Sequence, residues 1–452
     1  MRLGLSLPSA ALYRQRGQLP APETAGLLAR MSVPPSPARR TQIDMLVKSL
    51  IAAGIWTKLE ALYLLAAHDA QAARLNLVPW TGMVTNLVPN STMQGAVVGG
   101  AFPTGWSQVA TSNGITRSVV GLGTSNGLPY VDMRWTGTAS SAYVDMTFAP
   151  TISAAPGDRF TASVMLALVG GSTTGLTALR IVTYAAPGNS DNNTVELLPT
   201  LSGMTQRFTG TRLLTVSGIT GVSPRIALVP TVGATIDITL RIAAPQIVRM
   251  DVPGNFVPTS GAAASQVQTL SRFDLSAVNS PAFTVDRGYT GNGTTNYLDT
   301  NANPGVDFGR MTLNAASYGT WVSSENAVTA MAMGDIANLV LIQPRNESGS
   351  AAARINDGGG ITRGVPSSVG LTAGNRAAAT ARSLYKNGAE LATDTTGVSV
   401  AMPAELYLLR RGATYYPGQV SAAFAGSSLT AAQHLALYSA LRTYLMALGA
   451  AS

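Results

Sequence analysis

The sequence predicts a mainly β protein built from two β-sandwich or jelly-roll domains, and three observations carry that prediction. Short runs alternate apolar and polar residues, as in Tyr143-Val144-Asp145-Met146-Thr147-Phe148 and Ile236-Asp237-Ile238-Thr239-Leu240, which is the period of a half-buried strand. Turn signals such as Asn113-Gly114, Asn126-Gly127 and Pro156-Gly157-Asp158 separate these runs. Charged residues make up 12% of the chain against 46% hydrophobic ones, a composition for packed cores under polar, uncharged surfaces and a poor one for disorder. A length of 452 residues fits two or three domains.

Residues 1–39 hold Pro8, Pro20, Pro22, Pro34 and Pro35 and little periodicity. They read as an extended arm. Arg2, Arg14, Arg16, Arg30 and Arg39 lie in it, with Glu23 as its one acid, so it suits docking onto an acidic protein surface. Arg2, Arg14, Arg16 and Arg30 are the candidate anchoring residues.

Residues 40–80 change character. Ile43, Leu46, Val47, Leu50 and Ile51 recur at helical spacing, and Ile55, Leu59, Leu62, Tyr63 and Ala66 resume it after Gly54. Two short helices are expected, ending near Ala73.

Residues 81–265 read as β throughout. A ten-residue echo, Asn76-Leu77-Val78-Pro79 and Asn86-Leu87-Val88-Pro89, stands at their start and is too short for a repeat architecture. Residues 266–452 read as β again. Their clearest hairpin is Ser383 to Leu391, where Asn387-Gly388 supplies the positive φ angles of a type I′ turn. The chain ends on a helix: Thr430 and Gln433 form a capping box, Leu437, Leu441, Leu445 and Leu448 form a stripe, and Gly449 stops it.

The net charge of +8 invites a nucleic-acid reading, but the bases beyond the arm are scattered singly with no Lys/Arg run interleaved with aromatics. No nucleic-acid partner is expected. Cysteine is absent, which excludes disulfides and thiol chemistry and suits a particle assembled in a reducing cytoplasm. No run of about 18 apolar residues suggests a membrane helix, and the stretch after Arg2 is too short for a secretory signal.

Several segments together resemble the concanavalin/laminin-G-like domain of tailed-phage minor structural and fibre proteins. They are Leu62 to Asn76, Phe273-Asp274-Leu275, Asn279 to Phe283, Gly291 to Thr300, the Tyr385 hairpin, Tyr416 to Val420 and the Leu429-Thr430-Ala431-Ala432-Gln433-His434 helix. The middle segment resembles the carbohydrate-binding-module-like jelly rolls of phage fibres. It opens with Asn86-Leu87-Val88-Pro89-Asn90 and Gly105-Trp106. It closes with Ala244-Pro245-Gln246-Ile247 and Phe256-Val257-Pro258-Thr259. The resemblances imply one sandwich formed by residues 40–80 and 266–452, interrupted by an inserted jelly roll at 81–265. They also imply a virion-surface fibre or spike subunit, a trimer by analogy, made in the bacterial cytoplasm and meeting cell-surface polysaccharide. The open alternatives are a ligand-free head, collar or tail decoration protein and a polysaccharide depolymerase.

Glycan recognition calls for exposed aromatics beside amides and carboxylates, which makes Trp106, Tyr130, Trp135 and Tyr143 the candidates, Trp106 first. The competing reading places aromatics of sandwich strands in the core. Glycoside hydrolysis needs two convergent carboxylates; Asp132, Asp145, Asp158, Asp335, Asp357 and Glu405 are available, each reading as a solvated acid at a turn or strand edge. His68 and His434 read as helix-packing residues with no metal partners. Gly121-Leu122-Gly123 and Gly358-Gly359-Gly360 lack the rest of a phosphate-binding loop and read as turns. Asp191-Asn192-Asn193 and Asn356-Asp357-Gly358 offer oxygens for Ca2+ but read first as Asx turns. No catalytic residue, metal ligand or cofactor is assigned.

Overall fold

The computed structural model describes residues 20–109, 113–187 and 193–451. The chain divides into two compact units, one running to Val78 and resuming at Asp274, the other spanning Pro79–Phe273. Antiparallel sheets dominate both, so the fold class is mainly β.

The unit made from both ends of the chain contains α1 (Pro22–Leu28), α2 (Pro37–Ala52), a single turn α3 (Pro304–Asp307) and α4 (Ala431–Ala447). Its eight-stranded sheet runs Ala282–Thr284, Gly288–Thr290, Gln419–Gly426, Ala316–Val322, Gly370–Arg376, Arg382–Lys386 and Ala389–Asp394, and Leu59–Tyr63 also pairs with Gln419–Gly426. Its seven-stranded sheet runs Ser276–Val278, Tyr297–Asp299, Tyr407–Leu408, Met333–Gly334, Val340–Gln343, Ser350–Ile355 and Ile361–Gly364. Leu46, Leu50, Leu62, Phe424, Leu437, Leu441 and Leu445 share one core beneath α2 and α4. The capping box of α4 forms as its sequence requires: Thr430 accepts from the Gln433 N–H, and Gln433 reaches back to Thr430. Asn387 and Gly388, at φ 50° and 78°, make the hairpin turn between Arg382–Lys386 and Ala389–Asp394.

Two expectations for the first eighty residues are corrected. Residues 20–39 are not an extended arm, because Pro22 opens α1 and Leu27 buries to 2% exposure in the core shared with α2. The second predicted helix is instead the strand Leu59–Tyr63, flanked by short 3-10 turns. All five of its residues are buried, and a strand covered on both faces has no alternation to read.

The Pro79–Phe273 unit is a jelly-roll-like sandwich. Its five-stranded sheet runs Gln206–Leu213, Arg159–Gly171, Thr235–Val248, Leu128–Thr138 and Ile115–Ser125. The facing sheet runs Asn193–Glu196, Leu176–Ala186, Gly221–Pro230, Val144–Thr147 and Ser107–Gln108, with Ile152–Ser153 also on Gly221–Pro230. Trp135, Phe160, Ile226 and Leu240 lie between the sheets, all fully buried. A separate ribbon, Trp80–Asn86 with Ala264–Leu270, encloses a small core of Val84, Val248, Met250 and Val257.

The ten-residue echo has a structural meaning in each unit. Asn76 Oδ1 accepts from the N–H groups of Leu62 and Val78, and its Nδ2 donates to the carbonyls of Glu60 and Val78. Asn86 Oδ1 accepts from Val88 and Ile247, and its Nδ2 donates to Pro245 and Val257. Each buried amide ties its own two-residue turn to a neighbouring backbone. The four residues repeat because the same rivet is used twice.

Candidate functional site

In an antiparallel sheet, residues opposite each other share a face, so the strand register shows which side chains meet. On the sheet built around Gly221–Pro230, Ala227 stands opposite both Asp145 and Arg180, Arg225 opposite Thr147 and Val182, and Ser223 opposite Tyr184. Val144, Met146, Ile181, Ile226 and Leu228 occupy the alternate positions and fill the core. Asp145, Arg225, Tyr184 and Arg180 therefore lie together on the outer face.

Their geometry is convergent. The Arg225 guanidinium carbon sits 3.5 Å from the centre of the Tyr184 ring, and Arg225 Nη1 reaches Asp145 Oδ2 at 3.3 Å. Arg180 meets Glu196 at 3.4 Å along the same row. Burial raises the Asp145 carboxyl above the usual carboxylate range, against the lowering pull of Arg225 and Arg117. Asp145 Oδ1 is buried without a hydrogen-bond partner among the described residues. Tyr143, two residues earlier, is 60% exposed, roughly 20 Å along the strand direction from Tyr184 at about 3.4 Å per residue.

A similar triad occupies the outer face of the opposing sheet, and it is closed. Arg241 stacks on Tyr130 at 3.7 Å and grips Asp132 with two hydrogen bonds of 2.9 Å. Arg134 and Asp237 make two more of 2.8 Å. Bidentate pairing uses both carboxylate oxygens of each acid, so this face spends its polar groups on itself. The first face is the better candidate.

The four aromatic candidates separate accordingly. Trp106 and Trp135 are corrected to core residues, at 6% and 0% exposure. Trp106 packs on Phe148 at 4.8 Å and donates its indole N–H to the Asn90 carbonyl at 3.1 Å, so the preceding loop turns the ring inward. Trp135 lies five residues from Tyr130 on one strand, and an odd spacing places the two on opposite faces. Tyr143 is exposed on the candidate face and Tyr130 belongs to the closed triad. Tyr184 and Arg225 were missed. Alternation along Leu179 to Tyr184 would have turned Tyr184 outward, but only strand register brings Arg225 and Asp145 to it.

Several of the remaining candidates are tied down. Arg30 is a structural clamp, bonded to Asp274 at 3.1 Å and to the Asn76 carbonyl. Arg2, Arg14 and Arg16 lie outside the described residues, as do Asp191 and Asn192. Asp158 pairs with Arg249 at 2.9 Å, and Asp335 Oδ1 accepts from Leu339 and Val340. Asp357 is shared by Arg376 and Arg382, with its other oxygen taken by the Gly359 N–H, and buried Asn356 hydrogen-bonds Tyr318. That loop is committed to arginine and backbone, not to Ca2+. His68 is in a loop and not a helix, its Nε2 2.7 Å from the Val33 carbonyl and 3.0 Å from Asp69. His434 is buried in α4. Gly121 and Gly123 lie inside the strand Ile115–Ser125, not in a turn; a Cβ at Gly123 would stand 2.7 Å from the Tyr130 hydroxyl.

No protein-family model and no curated protein matches the chain. Solved structures to which it is similar include a CBM4 module (15% identity, TM-score 0.23, covering 36% of this chain and 98% of that one). The tripod of the baseplate of bacteriophage Tuc2009 matches at 12% identity and TM-score 0.23, over 72% of this chain and 98% of that one. The MgGH51 α-L-arabinofuranosidase matches at 14% identity and TM-score 0.29 over 42% of this chain, which spans 30% of that enzyme's length.

Proposed function

We propose that the chain is a non-enzymatic surface subunit of a phage or phage-like particle, which attaches to cell-surface polysaccharide through the outer face of the Gly221–Pro230 sheet. The observation that carries the glycan reading is the alignment of Tyr184, Arg225 and Asp145 on one outer face, with Tyr143 exposed beyond it. Aromatic rings offer flat faces to sugar C–H surfaces, and the charged pair orients hydroxyls. The particle reading rests on the motifs at both ends of the chain that resemble phage structural proteins. Arg2, Arg14 and Arg16 would serve its attachment to other virion proteins, and the working oligomer is a trimer.

A glycan array with the full chain tests the binding. Retention of one polysaccharide class, lost in Tyr184→Ala, supports the proposal. Silence across the array leaves a ligand-free decoration protein, and release of reducing sugar from any bound polymer would make it an enzyme. Alanine at Arg2, Arg14 and Arg16 should remove the subunit from particles, with melting curves alongside to separate lost attachment from lost folding.

A further inference from the structure

The unit built from both chain ends carries a second surface of different chemistry. Across its seven-stranded sheet, Ser276, Asp299, Tyr407, Gly334, Leu341 and Arg354 stand opposite one another in a single row. The neighbouring row of Leu298, Leu408, Met333 and Ile342 is buried inside the sandwich, so the first row faces out.

A small hairpin lies on that outward face. Arg410–Arg411 pairs with Thr414–Tyr415, and a Cβ at Gly334 would come within 2.6 Å of Arg411 Cβ. Only glycine there lets the hairpin lie flat. The Arg410 guanidinium carbon is 4.5 Å from the Tyr297 ring, 4.7 Å from Tyr407 and 5.6 Å from Tyr415. Tyr297 and Tyr407 meet edge to face at 5.2 Å. Met331, Leu341 and Ala352 make an apolar floor beside them.

Arg354 and Arg411 flank that floor. Arg354 donates to the Asn338 carbonyl at 2.6 Å, and Arg411 approaches the Met331 sulfur at 3.7 Å. Among the described residues none of Arg354, Arg410 and Arg411 has a carboxylate salt bridge, unlike the six arginines paired in the jelly roll. Burial lowers the pKa of Arg411, the charge of Arg354 lowers it further, and the Asp335 carboxylate raises it in part. A bound anion would relieve that repulsion.

We infer that this tyrosine–arginine face binds an acidic polysaccharide, with the partly exposed Tyr297 and Tyr415 against the sugars, buried Tyr407 supporting them, and guanidiniums on the carboxylates. Asp299 and Glu405, whose charges reach Tyr407, offer acceptors to sugar hydroxyls. The inference goes beyond the proposed function and concerns a different face, so either can fail alone.

The test is affinity electrophoresis of the full chain in gels holding polygalacturonate, hyaluronate or neutral dextran, with single-stranded DNA as a competitor. The expected result is retardation by at least one acidic polymer and not by dextran. That retardation should weaken at least tenfold in Arg354→Gln/Arg411→Gln and in Tyr415→Ala, and remain in Tyr184→Ala. The hairpin variant Tyr415→Ala keeps the test open if the double variant melts early. Failure of both acidic polymers to bind, binding indifferent to these substitutions, or displacement by DNA at equal charge would overturn the inference.

Discussion

The imidazole of His434 lies flat on the ring of Tyr385, centroids 3.8 Å and planes 16° apart. His434 comes from α4 and Tyr385 from strand Arg382–Lys386, so the stack holds the helix to the sheet. Both ring nitrogens are buried without a hydrogen-bond partner among the described residues. Burial pushes the imidazole down to about 3, far below its ordinary value of about 6.5.

A depressed histidine makes this unit acid-labile. The folded chain keeps His434 neutral while the unfolded chain takes up a proton below about pH 6.5, so stability falls as pH drops from there toward 3. The loss approaches ~1.4 kcal/mol per pH unit once the unfolded imidazole is protonated. His434→Phe, which keeps a ring on Tyr385 and removes the titration, should flatten that slope. Urea melts of both proteins between pH 7 and 4 measure it; parallel slopes would refute the assignment.

The asparagine rivets should be among the least replaceable polar residues. Asn86→Ala leaves the N–H groups of Val88 and Ile247 and the carbonyls of Pro245 and Val257 to find new partners in a dry interior. Each buried group left unpaired costs about 1–3 kcal/mol. We expect Asn86→Ala to lower the unfolding free energy of the jelly roll by at least ~2 kcal/mol, and Asn76→Ala to act alike on the other unit. Denaturant unfolding of the two variants checks both.

How far the sequence could be read follows from these residues. Alternation and turn dipeptides suffice for strands such as Val144–Thr147 and Thr235–Val248 and for the Asn387-Gly388 hairpin, and Thr430 with Gln433 marks the start of α4, because those signals are local. Leu59–Tyr63 escaped because a strand buried on both faces has no period, and α1 escaped because Pro20 and Pro22 read as extended chain. Among the aromatic candidates, parity alone separates Trp135 from Tyr130, a distinction available from their spacing. The meeting of Tyr184, Arg225 and Asp145 depends on the register of three strands far apart in the chain, and no local pattern encodes it.

The Asp357 cluster should behave as structure. Arg376 is fully buried, where desolvation lowers its pKa against the pull of Asp357, and it donates to the carbonyls of Ile355 and Gly397. Asp357→Asn leaves the buried Arg376 guanidinium short of an anion, while Arg382 keeps Asp394, and should cost about 3–5 kcal/mol, as for other broken buried ion pairs. Because the carboxylate is already bonded to arginine and backbone, millimolar Ca2+ should leave the melting temperature of the wild-type protein unchanged. A rise on adding Ca2+ that disappears in Asp357→Asn would contradict this account.

Stability and binding should separate cleanly among the aromatics of the jelly roll. Trp135→Ala empties a fully buried site and should cost about 3–5 kcal/mol, lowering glycan retention only through loss of folded protein. Tyr143→Ala removes a side chain that is 60% exposed, so its melting temperature should hold while binding weakens. Arg225→Gln takes away both the stack on Tyr184 and the partner of Asp145, and should weaken binding more, by tenfold or beyond. Titration of the polysaccharide retained on the array against each variant, with melting curves alongside, makes the comparison. If Tyr143→Ala and Arg225→Gln bind as the parent does while Tyr130→Ala does not, the ligand lies on the opposite sheet and the closed triad must open to receive it.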